Sequence, residues 1–128
     1  MAFPFENLSV YQLAIEWVTE ATQSAKAIKN SDLYPLADQL LRASTSIPLN
    51  IAEGNGRWHK GDKRQFFWIA RGSVFECVAI MQAIRKQSII SEEIYRAAYE
   101  KLQSLAKMLT KLIQSVDGLQ NSYLSPEG

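Results

Sequence analysis

The stretch RASTSIPLNIAEGNGR, residues 42–57, reads as an amphipathic helix that contains a proline at position 48. Leu40, Ile47 and Ile51 keep one helical phase across this proline. A new helix that began at Pro48 would have Ile47 as its N-cap, and isoleucine caps poorly. The pattern therefore predicts one helix with a kink at Pro48, even though an interior proline costs about 3 kcal/mol.

Apolar residues recur at helical spacing in three further segments. With the opening stretch they predict four helices, over about residues 9–28, 33–53, 62–86 and 91–116. No segment alternates convincingly with the period of a β-strand. Because the connections are short, we predict an all-α, antiparallel up-and-down four-helix bundle. Residues 1–128 would form one domain, with a short lead at 1–6 and a tail at 118–128.

The composition narrows the classes of function. Fourteen Lys and Arg against thirteen Asp and Glu give a net charge of +1, which excludes no class of partner. No apolar run reaches the roughly 18 residues of a membrane span, and no secretory signal is evident. We therefore predict a soluble cytoplasmic protein. The single Cys and the single His offer no zinc-finger spacing, so we predict no metal and no cofactor.

A row of polar residues follows one side of the helix in the opening stretch. It consists of Arg42, Ser46, Asn50, Glu53 and Arg57. The row would face water, or it would form an internal network in which Arg42 pairs with Glu53 or with Glu76 of the next helix. We expect Arg42, Asn50, Glu53 and Glu76 to be partly buried and hydrogen-bonded within or between subunits, because buried charges persist only when paired. Catalysis is disfavoured because the row has no nucleophile beside a base, and we predict no catalytic residues.

Cations and aromatic residues are interleaved in RWHKGDKRQFFWIAR, residues 57–71. Five cations against Asp62 alone give this segment a charge of +4, so the rest of the chain sums to −3. Such a segment suits nucleic acid, through phosphate contacts and base stacking. The candidate nucleic-acid-binding residues are Arg57, Lys60, Lys63, Arg64 and Arg71. The alternative is a solvated connection followed by a core helix that buries Phe67.

The opening stretch and FFWIARGSVFE, residues 66–76, closely resemble the bacterial 23S rRNA-intervening-sequence proteins, also called four-helix-bundle proteins. The matching residues of the first motif are Arg42, Ala43, Ser46, Ile47, Pro48, Asn50, Ile51, Ala52, Glu53, Gly54 and Arg57. Those of the second are Phe67, Ile69, Ala70, Gly72, Ser73 and Glu76. NLSVYQLAIEW in the first helix and KMLTKLI in the last also match. RKQSII, before the fourth helix, replaces the leucine-glycine-tyrosine-like segment that is usual there.

The resemblance implies a four-helix bundle that assembles as a ring, typically a homopentamer. Similar accessory proteins of diversity-generating retroelements bind nucleic acid alongside a reverse transcriptase. Trp68 and Phe75, with Tyr11 and Ile15 of the first helix, lie outside the core rows, so we expect them to be buried between subunits. We expect a non-enzymatic homo-oligomer that binds RNA, DNA or a nucleoprotein partner. The alternative is a protein-interaction scaffold with no affinity for nucleic acid.

Overall fold

The computed structural model describes residues 2–118, which contain four α-helices. These are α1 (Ser9–Lys29), α2 (Pro35–Asn55), α3 (Lys60–Lys86) and α4 (Glu92–Val116), and a 3-10 turn at Pro4–Asn7 precedes them. Each helix packs against the next along the chain, and α1 also contacts α4. The predicted antiparallel four-helix bundle is therefore confirmed. The helix ends lie within about two residues of the predicted ones, which is the usual uncertainty of helix boundaries.

Helix α2 continues through Pro48, as the uninterrupted apolar phase predicts. Pro48 is buried, with Ile47 and Ile51 of the same helix in the core. Thr45 donates its hydroxyl to the carbonyl oxygen of Leu41, 2.9 Å away, one turn before the proline. The apolar packing on both sides of Pro48 thus holds one helix where local propensity alone would favour a break.

Side-chain hydrogen bonds cap only some of the helix ends. Ser91 caps α4, because its hydroxyl accepts a hydrogen bond from the backbone N–H of Ile94 at 3.1 Å. At α1 the N-cap is Leu8, which makes no side-chain cap bond. In the turn that precedes α2, the hydroxyl of Ser31 accepts a hydrogen bond from the backbone N–H of Leu33. Ser31 therefore orders the connection between α1 and α2 and does not cap α2.

A small polar cluster lies within the largely apolar core. Trp17 of α1 is fully buried, and its Nε1–H donates to Ser44 Oγ of α2 at 2.9 Å. Ser44 Oγ also lies 3.4 Å from Cys77 Sγ of α3. Burial raises the pKa of the Cys77 thiol. A buried thiol in such surroundings is unreactive.

Helix α3 is long and apolar enough, by length and composition alone, to cross a membrane. From the sequence we expected no segment of that kind, so this finding differs from the prediction. In the structure one side of α3 lies in the bundle core against α2 and α4. A buried core helix has the same composition, so the finding is weak evidence for a membrane span.

Candidate interaction surfaces

Among the candidate nucleic-acid-binding residues, Lys63 differs most from the expected surface position. Its side chain is buried, and its ammonium donates to the backbone carbonyl oxygens of Gly54 at 3.4 Å and Asn55 at 2.8 Å. Burial lowers the pKa of Lys63. The last carbonyls of a helix lack partners within it, and cations there are favourable. Lys63 therefore caps α2 and leaves the set of surface cations, which corrects its assignment as a phosphate contact.

Three of the predicted cations remain near one end of the bundle. We call Arg57, Lys60 and Arg64 the junction cations, because they lie around the connection between α2 and α3. Arg57 pairs with Glu53 at 2.7 Å and lies over the ring of Phe66, and Arg64 pairs with Asp117 at 2.8 Å. These ion pairs are exposed and contribute little, roughly 0–1 kcal/mol each. A phosphate would displace the carboxylates at a small cost.

Arg71 lies on a different surface from the junction cations. Its Nε–H donates to Thr110 Oγ1 of α4 at 3.0 Å. Its guanidinium carbon is 4.6 Å from the ring centroid of Phe75 and 5.4 Å from that of Trp68. Arg71 thus holds two exposed aromatic side chains on the side of α3 that faces α4. The sequence placed all five cations in one cluster, but the structure separates them into a cap, a junction set and this lateral arginine.

The predicted polar network is present only in part within one chain. Asn50 Nδ2 donates to Ser46, both to its carbonyl oxygen at 2.8 Å and to its hydroxyl at 2.9 Å. Ser46 Oγ lies 2.8 Å from Ser73 Oγ of α3, so these residues join the two helices. Glu53, by contrast, is exposed and pairs only with Arg57 among the described residues, which corrects the expectation that it is partly buried.

Arg42 and Glu76 line the same shallow groove between α2 and α3, which has a volume of about 240 Å³. Arg42 belongs to the α2 wall, Glu76 belongs to the α3 wall, and Ser46 and Ser73 line it between them. Both charged side chains are exposed. Within residues 2–118 the structure records no ion pair or side-chain hydrogen bond for either of them. Their predicted pairing inside one subunit is therefore not seen, and pairing between subunits stays a prediction.

One side of α3 exposes a row of apolar residues to solvent. We call it the outer α3 face, and it consists of Trp68, Ile69, Gly72, Phe75, Glu76 and Ala79. The exposed fractions are 51% for Trp68, 44% for Ile69 and 54% for Phe75. Large apolar patches on soluble proteins commonly mark interaction sites. Sequence analysis found Trp68 and Phe75 here but did not assign Ile69 or Gly72 to this surface.

An apolar groove of about 280 Å³ adjoins the outer α3 face where α3 meets α4. Its lining includes Val74, Phe75, Val78, Ala79, Tyr99, Leu102 and Ala106. Tyr99, which is itself exposed, extends the apolar surface onto α4. Ile15 of α1 and Leu49 of α2 are exposed as well. Tyr11 is half-buried and packs edge-on against Phe5, so the lead segment covers part of the α1 surface.

The described residues present apolar, cationic and polar surfaces, and they hold no cluster of metal ligands. In the part of the chain that the structure describes, no three His, Cys, Asp or Glu side chains converge so that they could hold a metal ion. The surfaces combine apolar side chains, cations and one polar groove on rigid helices.

The four helices define a helical-bundle protein with exposed apolar and cationic surfaces. The family model described as 23S rRNA-intervening sequence protein matches residues 6–111. The chain therefore belongs to this family, which confirms the resemblance seen in the sequence. The family is not one of enzymes. Among curated proteins, none matches the chain.

A solved structure supports the fold independently. It is a crystal structure of a protein of unknown function from the S23 ribosomal protein family of Bacteroides thetaiotaomicron. The two chains are 22% identical, and the superposition has a TM-score of 0.76 and covers 81% of this chain and 97% of the other. At this identity the similarity establishes the four-helix fold and nothing further.

Proposed function

We propose that this protein is a non-enzymatic cytoplasmic bundle that assembles with copies of itself through the outer α3 face. The exposure of Trp68, Ile69 and Phe75 on one side of a core helix carries this proposal. Burial of such a surface against a partner would stabilise the complex by a free energy of roughly 25 cal/mol for each square ångström of apolar area. Membership of a family whose members typically form rings supports a second copy as that partner.

The contact in this proposal joins two unlike surfaces. The outer α3 face lies on one side of the bundle, whereas the exposed Leu49 belongs to α2. A contact between unlike surfaces is repeated head to tail, and it closes into a ring when the rotation permits. Five copies per ring are what the family resemblance implies.

Reversing the apolar character of the outer α3 face tests the assembly. At micromolar concentration we expect the parent to scatter light as a multiple of 14.5 kDa, five times that mass for a pentamer. Phe75→Glu should lower the mass, because a carboxylate in an apolar contact loses its hydration. Tyr34→Glu is the matched control, since Tyr34 is an exposed aromatic outside this face. A parent mass of 14.5 kDa at every concentration would refute assembly, and an unchanged Phe75→Glu mass would refute this face.

We also propose that the assembled protein binds nucleic acid through the junction cations. Arg57, Lys60 and Arg64 lie around one helix connection, beside the exposed aromatic Trp58. Cations next to aromatic rings suit phosphate contact with base stacking and little sequence preference. A ring would repeat the set once per subunit, so that modest affinities combine. Near-neutral net charge is compatible with this because a local patch sets the local field.

A salt titration of RNA and DNA binding tests this second proposal. We expect the binding constant of the parent to fall steeply as the salt concentration rises. In a plot of the logarithm of the binding constant against the logarithm of the salt concentration, each lost phosphate contact reduces the slope by roughly 0.7 to 0.9. The triple variant Arg57→Ala, Lys60→Ala and Arg64→Ala should therefore have a slope smaller by roughly 2 to 3. The control triple Lys26→Ala, Lys29→Ala and Lys86→Ala removes the same charge at the opposite end of the bundle. It should bind like the parent.

Two outcomes would contradict the nucleic-acid proposal. If the parent shows no binding at about 50 mM salt, where phosphate contacts are strong, the protein-interaction scaffold replaces it, with a protein such as a reverse transcriptase as the partner. If both triple variants lose affinity equally, the junction cations are not the site. Equal loss would point to the summed charge of the protein instead.

A further inference from the structure

We infer that α2 of one copy packs on the outer α3 face of the next, with Arg42 of one copy paired to Glu76 of the other. This inference rests on the proposed self-assembly, and it specifies the second surface and the register of the contact. The partner is a second copy of this chain. Three independent features of the described residues support it: two opposite charges, a matching of levels along the bundle, and a glycine.

The charges are complementary, and neither has a partner among residues 2–118. Arg42 and Glu76 stand on opposite walls of one groove, and both are exposed. Nothing in residues 2–118 forms an ion pair with either, although three other arginines of this chain do form ion pairs. Each charge is therefore available to its opposite on another copy. Opposite charges across an interface fix its register and exclude other arrangements.

The level of each residue along the bundle makes the pairing geometrically consistent. Ser46 and Ser73 are in contact, so they mark one level of the antiparallel helices α2 and α3. Arg42 is four residues before Ser46, and Glu76 is three residues after Ser73. Because the helices are antiparallel, both offsets run towards the same end of the bundle. At about 1.5 Å per residue, Arg42 and Glu76 therefore lie at the same level to within roughly 1.5 Å. A rotation about an axis parallel to the helices preserves levels. It therefore brings Arg42 of one copy level with Glu76 of its neighbour.

The same rotation matches a pair of exposed apolar residues. Leu49 is three residues after Ser46 and Ile69 is four before Ser73, so these two also share a level. That level lies about 10 Å from the charged pair, since seven residues separate Arg42 from Leu49 along α2. Leu49 is 67% exposed, the most among the large apolar residues of the described chain. Its contact with Ile69 would bury two aliphatic side chains beside the ion pair.

Gly72 lies between these two contacts on the outer α3 face. Glycine inside a helix is less stable than alanine by about 1 kcal/mol. A Cβ placed at Gly72 would meet no atom of the described chain within 4 Å, so internal packing does not require glycine here. The absence of a side chain at this level leaves room for the backbone of another helix. Gly72 is thus the point of closest approach of α2 from the second copy.

Charge reversal with reciprocal rescue tests the pairing, with assembly measured by light scattering and folding by circular dichroism. We expect Arg42→Glu and Glu76→Arg each to weaken assembly at least about tenfold, because like charges then face each other. The double variant should restore the parent mass, since it exchanges the two charges. Lys26→Glu, which reverses an exposed charge elsewhere, is the matched control and should assemble like the parent.

Gly72→Ala is the second test, because a methyl group leaves the charge unchanged and favours the helix. It should keep or raise the helical signal while it weakens assembly. A monomeric parent would overturn both the self-assembly proposal and this inference. If the parent assembles, three results would overturn this inference alone: single reversals that assemble like the parent, a folded double variant that stays dissociated, or a Gly72→Ala variant with parent affinity.

Discussion

Replacement of Trp17 by alanine is expected to lower the free energy of unfolding by about 3–5 kcal/mol, the range for truncating a large buried aromatic side chain. The indole is fully buried among α1, α2 and α3, so its removal leaves a cavity that close-packed neighbours fill only partly. It also removes the hydrogen bond from Nε1 to Ser44 Oγ. Urea unfolding followed by circular dichroism measures the effect, at one fixed protein concentration because assembly would add concentration-dependent stability.

Two smaller substitutions separate the cavity from the hydrogen bond. Ser44→Ala leaves the Trp17 N–H buried without that acceptor and should cost about 1–3 kcal/mol. Trp17→Phe removes the donor and part of the volume. Because both changes break the same bond, the double variant should be more stable than the sum of the single losses implies. Additive losses, or a Ser44→Ala variant as stable as the parent, would contradict a stabilising role for this bond.

Gly54→Ala should destabilise the fold by about 1–3 kcal/mol, because it forces extra volume into a packed site. In most helices the same change is stabilising by about 1 kcal/mol. At Gly54 a Cβ would lie 2.7 Å from Cε1 of Phe67 and 2.9 Å from Cβ of Phe66, closer than such atoms approach. The end of α2 meets the start of α3 at this point, so the sign of the effect reverses.

Gly61→Ala provides the matched control for this prediction. A Cβ at Gly61 would meet no described atom within 4 Å, and the residue lies in the first turn of α3. The control should be as stable as the parent or slightly more stable in the same urea titration. If Gly54→Ala and Gly61→Ala unfold at the same urea concentration, the close approach of α2 and α3 at Gly54 is wrong.

The fold was predictable because the spacing of apolar residues along one helix shows which side of that helix is buried, without knowledge of the other helices. The sequence shows that Leu40, Ile47 and Ile51 stay in phase across Pro48, and the structure keeps one helix there. Short connections then allow few arrangements of four amphipathic helices other than an antiparallel bundle. Cap residues were less predictable, because a cap needs only one favourable bond and several nearby side chains compete for it.

The surface assignments were less predictable because they depend on how helices meet. Lys63 looks like a member of a basic cluster, yet it lies four residues before Phe67 and so shares the helical phase of the core. That spacing was the available signal for its burial. Glu53 and Arg57 are also four apart, the spacing at which opposite charges pair along an exposed helix. The contact of Ser46 with Ser73 joins two helices, and no pattern within either one contains it.

The outer α3 face was predictable in part. Trp68 and Phe75 stand out because they are large, apolar and outside the core phase. Ile69 does not stand out, since its exposure depends on where α2 lies against α3. Gly72 gives no sequence signal of its own role, because only the structure shows that its own chain leaves the space around it open.

Hydroxyl-radical labelling of the parent protein tests most directly whether another copy covers the outer α3 face. Trp68 and Trp58 have the same intrinsic reactivity, and in a single chain Trp68 is 51% exposed whereas Trp58 is 37% exposed. A monomer therefore labels Trp68 more than Trp58. Our account predicts the opposite order, with Trp68 labelled less than Trp58 because the neighbouring copy covers it. Greater labelling of Trp68 than of Trp58 at a concentration where the protein is assembled would contradict the account.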